Sequence, residues 1–253
     1  MMKWFLICLS FSALACKQGA RQDPEVHSIN QLKAFDSPIK ELGELQGFYD
    51  SDLSYDSIKS SIKKIKRTLE TGKISTDSLG KIFTQSLVYR IFPFWEDTDW
   101  SFEGHSSVPK VGEIACGYFV STTLKDVGLN LNRYRLAQQN PRNEAKSLAL
   151  GSEIIEIAEG SKEKNIEKIN ERLPEGIHFI GLGENHVGFI LKKQDQLYFI
   201  HSNYMGSRGV ELETIEDSQV FNMHQKYYLV ELSTNEKLLT KWITGEEIKV
   251  LTE

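Results

Sequence analysis

The sequence predicts an α+β chain in which helices come first and an antiparallel sheet follows. Two patterns carry this reading. Up to Leu173 apolar side chains recur mainly at three- and four-residue spacing, and after Pro174 the period falls to two. Composition agrees. The chain has 253 residues, 40% of them hydrophobic and 26% charged, which is enough apolar surface for a core and excludes a disordered or collagen-like protein. The length suits one domain plus extra helices.

Taken in order, the chain opens with an export signal, residues 1–15. Lys3 supplies a positive start, the run from Trp4 to Phe11 is apolar but too short to span a bilayer, and small residues follow. Cys16 directly after Ala15 resembles the lipidated cysteine of bacterial lipoproteins, with Ala13 where that motif usually has Leu. The expectation is an exported chain in the bacterial cell envelope, held to a membrane through Cys16, with residues 16–38 as a tether. The remainder, 39–253, reads as a single domain. It has a helical extension at 39–92 and a helical insertion at about 140–173.

Tyr55, Ile58, Ile62, Ile65 and Leu69 line one face of a first helix closed by Thr71-Gly72. A second starts at Ser75 or Thr76, buries Leu79, Ile82, Phe83 and Leu87, and is expected to stop before Pro93. Residues 92–102 form an aromatic loop. A third helix runs from Ala115 to Val127 and ends at Gly128. Residues 140–143 read as a loop, with helices expected at 153–158 and 161–173. Strands then follow at 177–182, 186–192, 196–201, 210–212 and 227–232, the first three joined by short turns.

The chemistry rests on cysteine arithmetic. With Cys8, Cys16 and Cys116 as the three cysteines, a disulfide framework and a thiolate metal centre are both excluded. Thirty basic residues against 35 acidic ones leave no excess for gripping phosphate, so no nucleic-acid partner is expected. His27, His105, His178 and His224 show no metal spacing, and no glycine loop suggests a nucleotide, so neither metal nor cofactor is expected. Cys116 opens a helix, where the dipole and free N–H groups would lower a thiol toward its reactive thiolate. His186 begins one strand and His201 ends the next, so a hairpin can bring both rings to one end of the sheet. Gly188 leaves room beside His186 for a close neighbour. A nucleophilic thiol needs a base, and the base needs an orienting partner.

The order of cysteine helix, histidine strand and polar strand is that of papain-like hydrolases. Ala115-Cys116-Gly117-Tyr118-Phe119-Val120, with His186-Val187-Gly188-Phe189-Ile190 and Tyr198-Phe199-Ile200-His201-Ser202, resembles the NlpC-like cell-wall peptidases over about Val108 to Asn203. The chain departs from that pattern in Ala115, in Gly117-Tyr118 and in the long stretch between cysteine and histidine. The resemblance implies a papain-like fold, with Cys116 as nucleophile, His186 as general base and His201 as the residue that orients it. It also implies an amide substrate, with peptidoglycan stem peptides first. The backbone N–H of Cys116 is the expected oxyanion donor, with Trp100 or Ser101 beside it, and Trp100, Tyr118 and Asn203 are the expected substrate contacts. Two other functions stay open: a non-catalytic surface module binding glycan or peptide along the tryptophan loop, and an acyltransferase or thioesterase acting on lipid.

Overall fold

The computed structural model describes residues 53–205 and 209–252. The export signal, Cys16 and the tether lie outside the described residues. Among these residues no helix is long and apolar enough to cross a membrane.

Helix α1 (Tyr55–Glu70) starts where the Ser54 hydroxyl accepts from the Ser57 N–H, and it buries Ile58, Ile62 and Ile65. Helix α2 (Thr76–Ser86) repeats the device with Ser75 and Ser78. This α-helix ends at Ser86, before Pro93 as expected, but the helical path does not end there. A π-helical turn (Leu87–Ile91) carries the chain into α3 (Phe92–Trp95), and the wider turn resets the hydrogen-bond ladder. Pro93 thereby falls in the first turn of α3, where its missing N–H costs nothing. The expected loop at 92–102 accordingly begins as helix.

Helix α4 (Cys116–Asp126) buries Phe119, Val120 and Leu124, and Gly128 takes a positive φ of 105° beyond its end. After β1 (Asn130–Leu131) and α5 (Arg133–Ala137), two expectations fail. Residues 140–143 are not a loop but the cap and first turn of α6 (Pro141–Ala149): Asn140 accepts from the Asn143 N–H and Pro141 takes the first helical place. The helix expected at 153–158 is strand β2 (Ile155–Ile157), because the alternation Ile-Glu-Ile pairs with a distant strand. Helix α7 (Lys162–Arg172), capped by Ser161, stands where it was expected.

The sheet strands are β3 (Gly176–Leu182), β4 (His186–Lys193), β5 (Gln196–Ser202) and β6 (Val210–Thr214), then β7 (Tyr227–Glu231) after the short helix α8 (Gln219–Asn222). With β2 they form a six-stranded antiparallel sheet in the order β2-β7-β3-β4-β5-β6. Helix α9 (Glu236–Thr244), started by Asn235, and β8 (Glu247–Ile248), which pairs in parallel with β1, complete the described chain.

Both faces of the sheet are buried. Phe179, Val187, Phe189 and Val230 share a core with α1, α2, α4, α6 and α9. Ile180, Leu182, Ile190, Phe199 and Leu229 share another with Ile169 of α7 and Phe221 of α8. The architecture is therefore α+β, an antiparallel sheet packed against helices. Cys116 approaches the sheet from the first of these two sides.

Candidate functional site

Cys116 stands at the first turn of α4, held close to α5. A Cβ added to Gly117 would lie 2.7 Å from the Ala137 carbonyl oxygen, so only glycine lets the helix start pack there. The thiol points toward the loop entering β4 and donates to the Asn185 carbonyl at 3.9 Å. The N–H groups of Val187, Gly117 and Cys116 itself face the sulfur and favour its thiolate. They do not prevail. The residue keeps some exposed surface, but its sulfur is enclosed, and burial pushes the thiol up to about 11. The expected low-pKa thiolate is thus overturned: removing the sulfur from water outweighs the helix dipole and three amides.

The histidines form a tighter unit. His186 Nε2 lies 2.9 Å from His201 Nδ1, and His201 Nε2 lies 3.0 Å from Glu213 Oε1. Both rings are buried, and burial holds both below the ordinary imidazole range, His201 down to about 3. His201 stacks on Phe199 with ring centroids 3.9 Å apart. Gly188 makes this approach possible. A Cβ there would lie 2.7 Å from the Phe199 ring, 2.8 Å from the Ile200 oxygen and 2.9 Å from the His201 Cβ.

Thiol and imidazole are neighbours along the backbone without being hydrogen-bonded to each other. His186 pairs with Leu182 in the β3–β4 register and its ring meets Phe199, which places it on the second face of the sheet. The thiol instead contacts the strand backbone on either side of His186. Tyr204 bridges the two: its ring lies 5.2 Å from that of His186, and its hydroxyl is raised partly by the charge that Cys116 would carry.

Of the expected substrate contacts, Trp100 and Tyr118 flank this region. Trp100 packs on Tyr204 at 6.0 Å. Tyr118, in the first turn of α4, meets His105 at 6.0 Å and Tyr134 at 5.8 Å, with the Arg133 guanidinium over its ring. Asn203 is used differently. Its amide donates to Glu211 and its oxygen accepts from the Met205 N–H at 2.7 Å, so it braces the turn leaving β5.

Sequence reasoning missed three residues here. Glu213 and Tyr204 touch the histidines. Glu144, on α6, is fully buried with its Oε2 unpartnered, and burial keeps its carboxyl well above the usual range. Only the alternation Glu211-Leu212-Glu213 on a strand could have signalled a shared face. His201, Glu211 and Glu213 bring one donor atom each within 4.8 Å of one another, the one such trio among the described residues. Hydrogen bonds account for it, because Glu213 accepts from His201 and Glu211 from Asn203. When the chain is compared with known proteins, no family model and no curated protein matches it.

Proposed function

We propose that the chain is an exported, lipid-anchored thiol hydrolase of papain-like fold that cleaves an amide bond, with peptidoglycan stem peptides as the first substrate class. Cys116 is the nucleophile, His186 the base and His201 the residue that orients it. The observation that carries this reading is the seating of the Cys116 thiol against the backbone on both sides of His186, a residue itself bonded to His201 at 2.9 Å. The NlpC-like motif around those residues supports it.

In this mechanism the resting pair is a neutral thiol and a neutral imidazole. Catalytic hydrogen bonds are often loose without substrate and tighten in the bound complex. When the His186 ring turns to the thiol, its free nitrogen, Nδ1, takes the proton as sulfur attacks the carbonyl carbon. The tetrahedral oxygen then faces the N–H groups at the start of α4, and such donors contribute several kcal/mol. The imidazolium passes its proton to the departing amine. Water, deprotonated by His186, next attacks the thioester and releases the acid and the free thiol. In this reading Trp100, which packs on Tyr204, and Tyr118, in the first turn of α4, contact the substrate.

Digestion of purified peptidoglycan by the mature protein, with products read by mass spectrometry, tests the proposal. Hydrolysis that Cys116→Ala abolishes, with thermal unfolding nearly unchanged, is expected. A Cys116→Ala protein that retains hydrolysis, or that no longer folds, overturns it. A second reading is favoured by the exposed aromatic side chains near this region, Phe102 at 81% above all: a peptidoglycan-binding module with no turnover. Retention on peptidoglycan by wild type and Cys116→Ala alike, with no products from either, would decide for it.

A further inference from the structure

The three-membered chain from His186 through His201 to Glu213 determines where protons sit. We propose that Glu213 is a positioning residue that fixes the tautomers of both rings, so that the nitrogen of His186 left for Cys116 carries a lone pair. Its bearing on catalysis rests on the thiol-hydrolase reading. Its bearing on the rings does not.

The argument runs outward from the carboxylate. An ionised carboxylate only accepts, so the 3.0 Å contact to Glu213 Oε1 requires the proton on His201 Nε2. A neutral imidazole has one N–H, which leaves His201 Nδ1 bare and accepting. The 2.9 Å contact then requires the proton on His186 Nε2, and neutral His186 is left unprotonated at Nδ1. Both rings are neutral because burial disfavours their charged forms. The His201 ring has little freedom to choose otherwise, since it is fully buried and stacked within 13° of parallel on Phe199.

Glu211, its neighbour two residues back, cannot replace Glu213. Its nearer oxygen lies 3.9 Å from His201 Nε2 and it already accepts from Asn203. Without an acceptor at Nε2 the chain has no preferred direction. His201 could as well carry its proton on Nδ1 and donate to His186 Nε2, and neutral His186 would then present an N–H to the thiol. A base in that tautomer cannot accept the thiol proton.

Protonation of Glu213 would reverse the chain by the same logic. The carboxyl O–H would donate to His201 Nε2, His201 Nδ1–H to His186 Nε2, and the remaining proton would move to His186 Nδ1. The groups around Glu213 are His201, Glu211, Asp217 and Ser218, and His224 lies near the far ring. Burial and the Asp217 charge hold the Glu213 carboxyl above its ordinary range against the Ser218 hydrogen bond.

The test is the ring-nitrogen NMR spectrum of the 15N-labelled chain, which reports tautomers without any substrate. Glu213→Gln keeps an amide oxygen to accept from His201 Nε2, and the wild-type tautomers should persist. Glu213→Leu removes the acceptor, and both rings should shift toward the opposite tautomer or a mixture. Unchanged tautomers in Glu213→Leu overturn the proposal. Should that variant fail to fold, acidification serves instead. Wild type should reverse its tautomers before the rings charge, whereas Glu213→Gln should not, and the same response in both overturns the proposal. Where the chain hydrolyses peptidoglycan, Glu213→Leu should lower kcat by about 10- to 100-fold with KM little changed, and Glu213→Gln far less. Tautomers that respond as expected, beside a Cys116→Ala protein that still hydrolyses, would sink the thiol reading and leave this one standing.

Discussion

The two ends of the candidate site are built in opposite ways. At the histidine end both nitrogens of His201 and Nε2 of His186 have hydrogen-bond partners, and the His201 ring is held by stacking on Phe199. At the cysteine end the thiol makes one long contact to a carbonyl and relies on backbone N–H groups. Burial acts on both, but with opposite results on the pH scale. It disfavours the imidazolium and so pulls the histidines down, and it disfavours the thiolate and so pushes the cysteine up. On the thiol-hydrolase proposal, a base and a nucleophile driven apart in this way rest as a neutral pair. The charge separation needed for attack must come with substrate.

The largest effect that would break this comparison lies on the acid side. His201 is depressed to about 3 and His178, buried on β3, to about 4. A depressed group adds stability that is present above its unfolded value near 6.5 and lost as pH falls toward the folded one. Each such ring therefore removes about 1.4 kcal/mol of stability per pH unit across that window. Urea unfolding followed from pH 7 to pH 4 should show this loss, and His201→Asn should lower the slope by one proton. An unchanged slope would mean that His201 is already charged in the native state.

Next come the two glycines that permit each end. Gly188→Ala drives a methyl against the Ile200 oxygen, Phe199 and His201, and Gly117→Ala drives one against Ala137. Each should cost about 1–3 kcal/mol by overpacking. The ends should respond separately: Gly188→Ala should disturb the His186–His201 contact in NMR spectra, and Gly117→Ala the alkylation of Cys116. Equal disturbance of both signals by either variant would mean that the ends are one mechanical unit.

The smallest effect sharpens the thiol end. Iodoacetamide should label Cys116 at pH 6 more slowly than a free thiol, with a midpoint displaced upward toward about 11. Glu144 adds to that rise through its charge, so Glu144→Gln should lower the midpoint by less than about one unit. A larger drop would show that the Glu144 charge, rather than burial, is the main cause of the rise. Fast labelling at pH 6 would restore the thiolate that the sequence alone suggested.

Much of the frame was legible because it is local. Ser75, expected at a helix start, caps α2, and the strands bearing His186 and His201 fall within a residue or two of where period-two alternation places them. What escaped is what depends on distant partners. Ile155 to Ile157 becomes a strand only because Tyr227 to Leu229 lies beside it, and residues 87–95 stay helical only through a π turn that no periodicity announces. The helix Glu236–Thr244 was missed although Asn235 and Gly245 bracket it as start and stop signals. The site divides in the same way. The cysteine and both histidines could be picked by residue type, whereas Glu213 and Glu144 are ordinary glutamates until the fold encloses them. The thiol state was misjudged because a helix start is visible in sequence and the depth of burial is not.

Glu211 and Glu213 have one more consequence, for the border of the sheet. β6 is the outermost strand of the sheet on that side; residues 97–98 hydrogen-bond the backbone of its first residue, Val210, and the rest of such a border is where a strand from another molecule could pair. A second copy docking edge to edge there would bring four carboxylates together and disturb the hydrogen bonds that hold Asn203 and His201. The opposite border, β2, has only three residues and is too short to template much. Glu213, bonded to His201, and Glu211, bonded to Asn203, thus make β6 a poor surface for self-association.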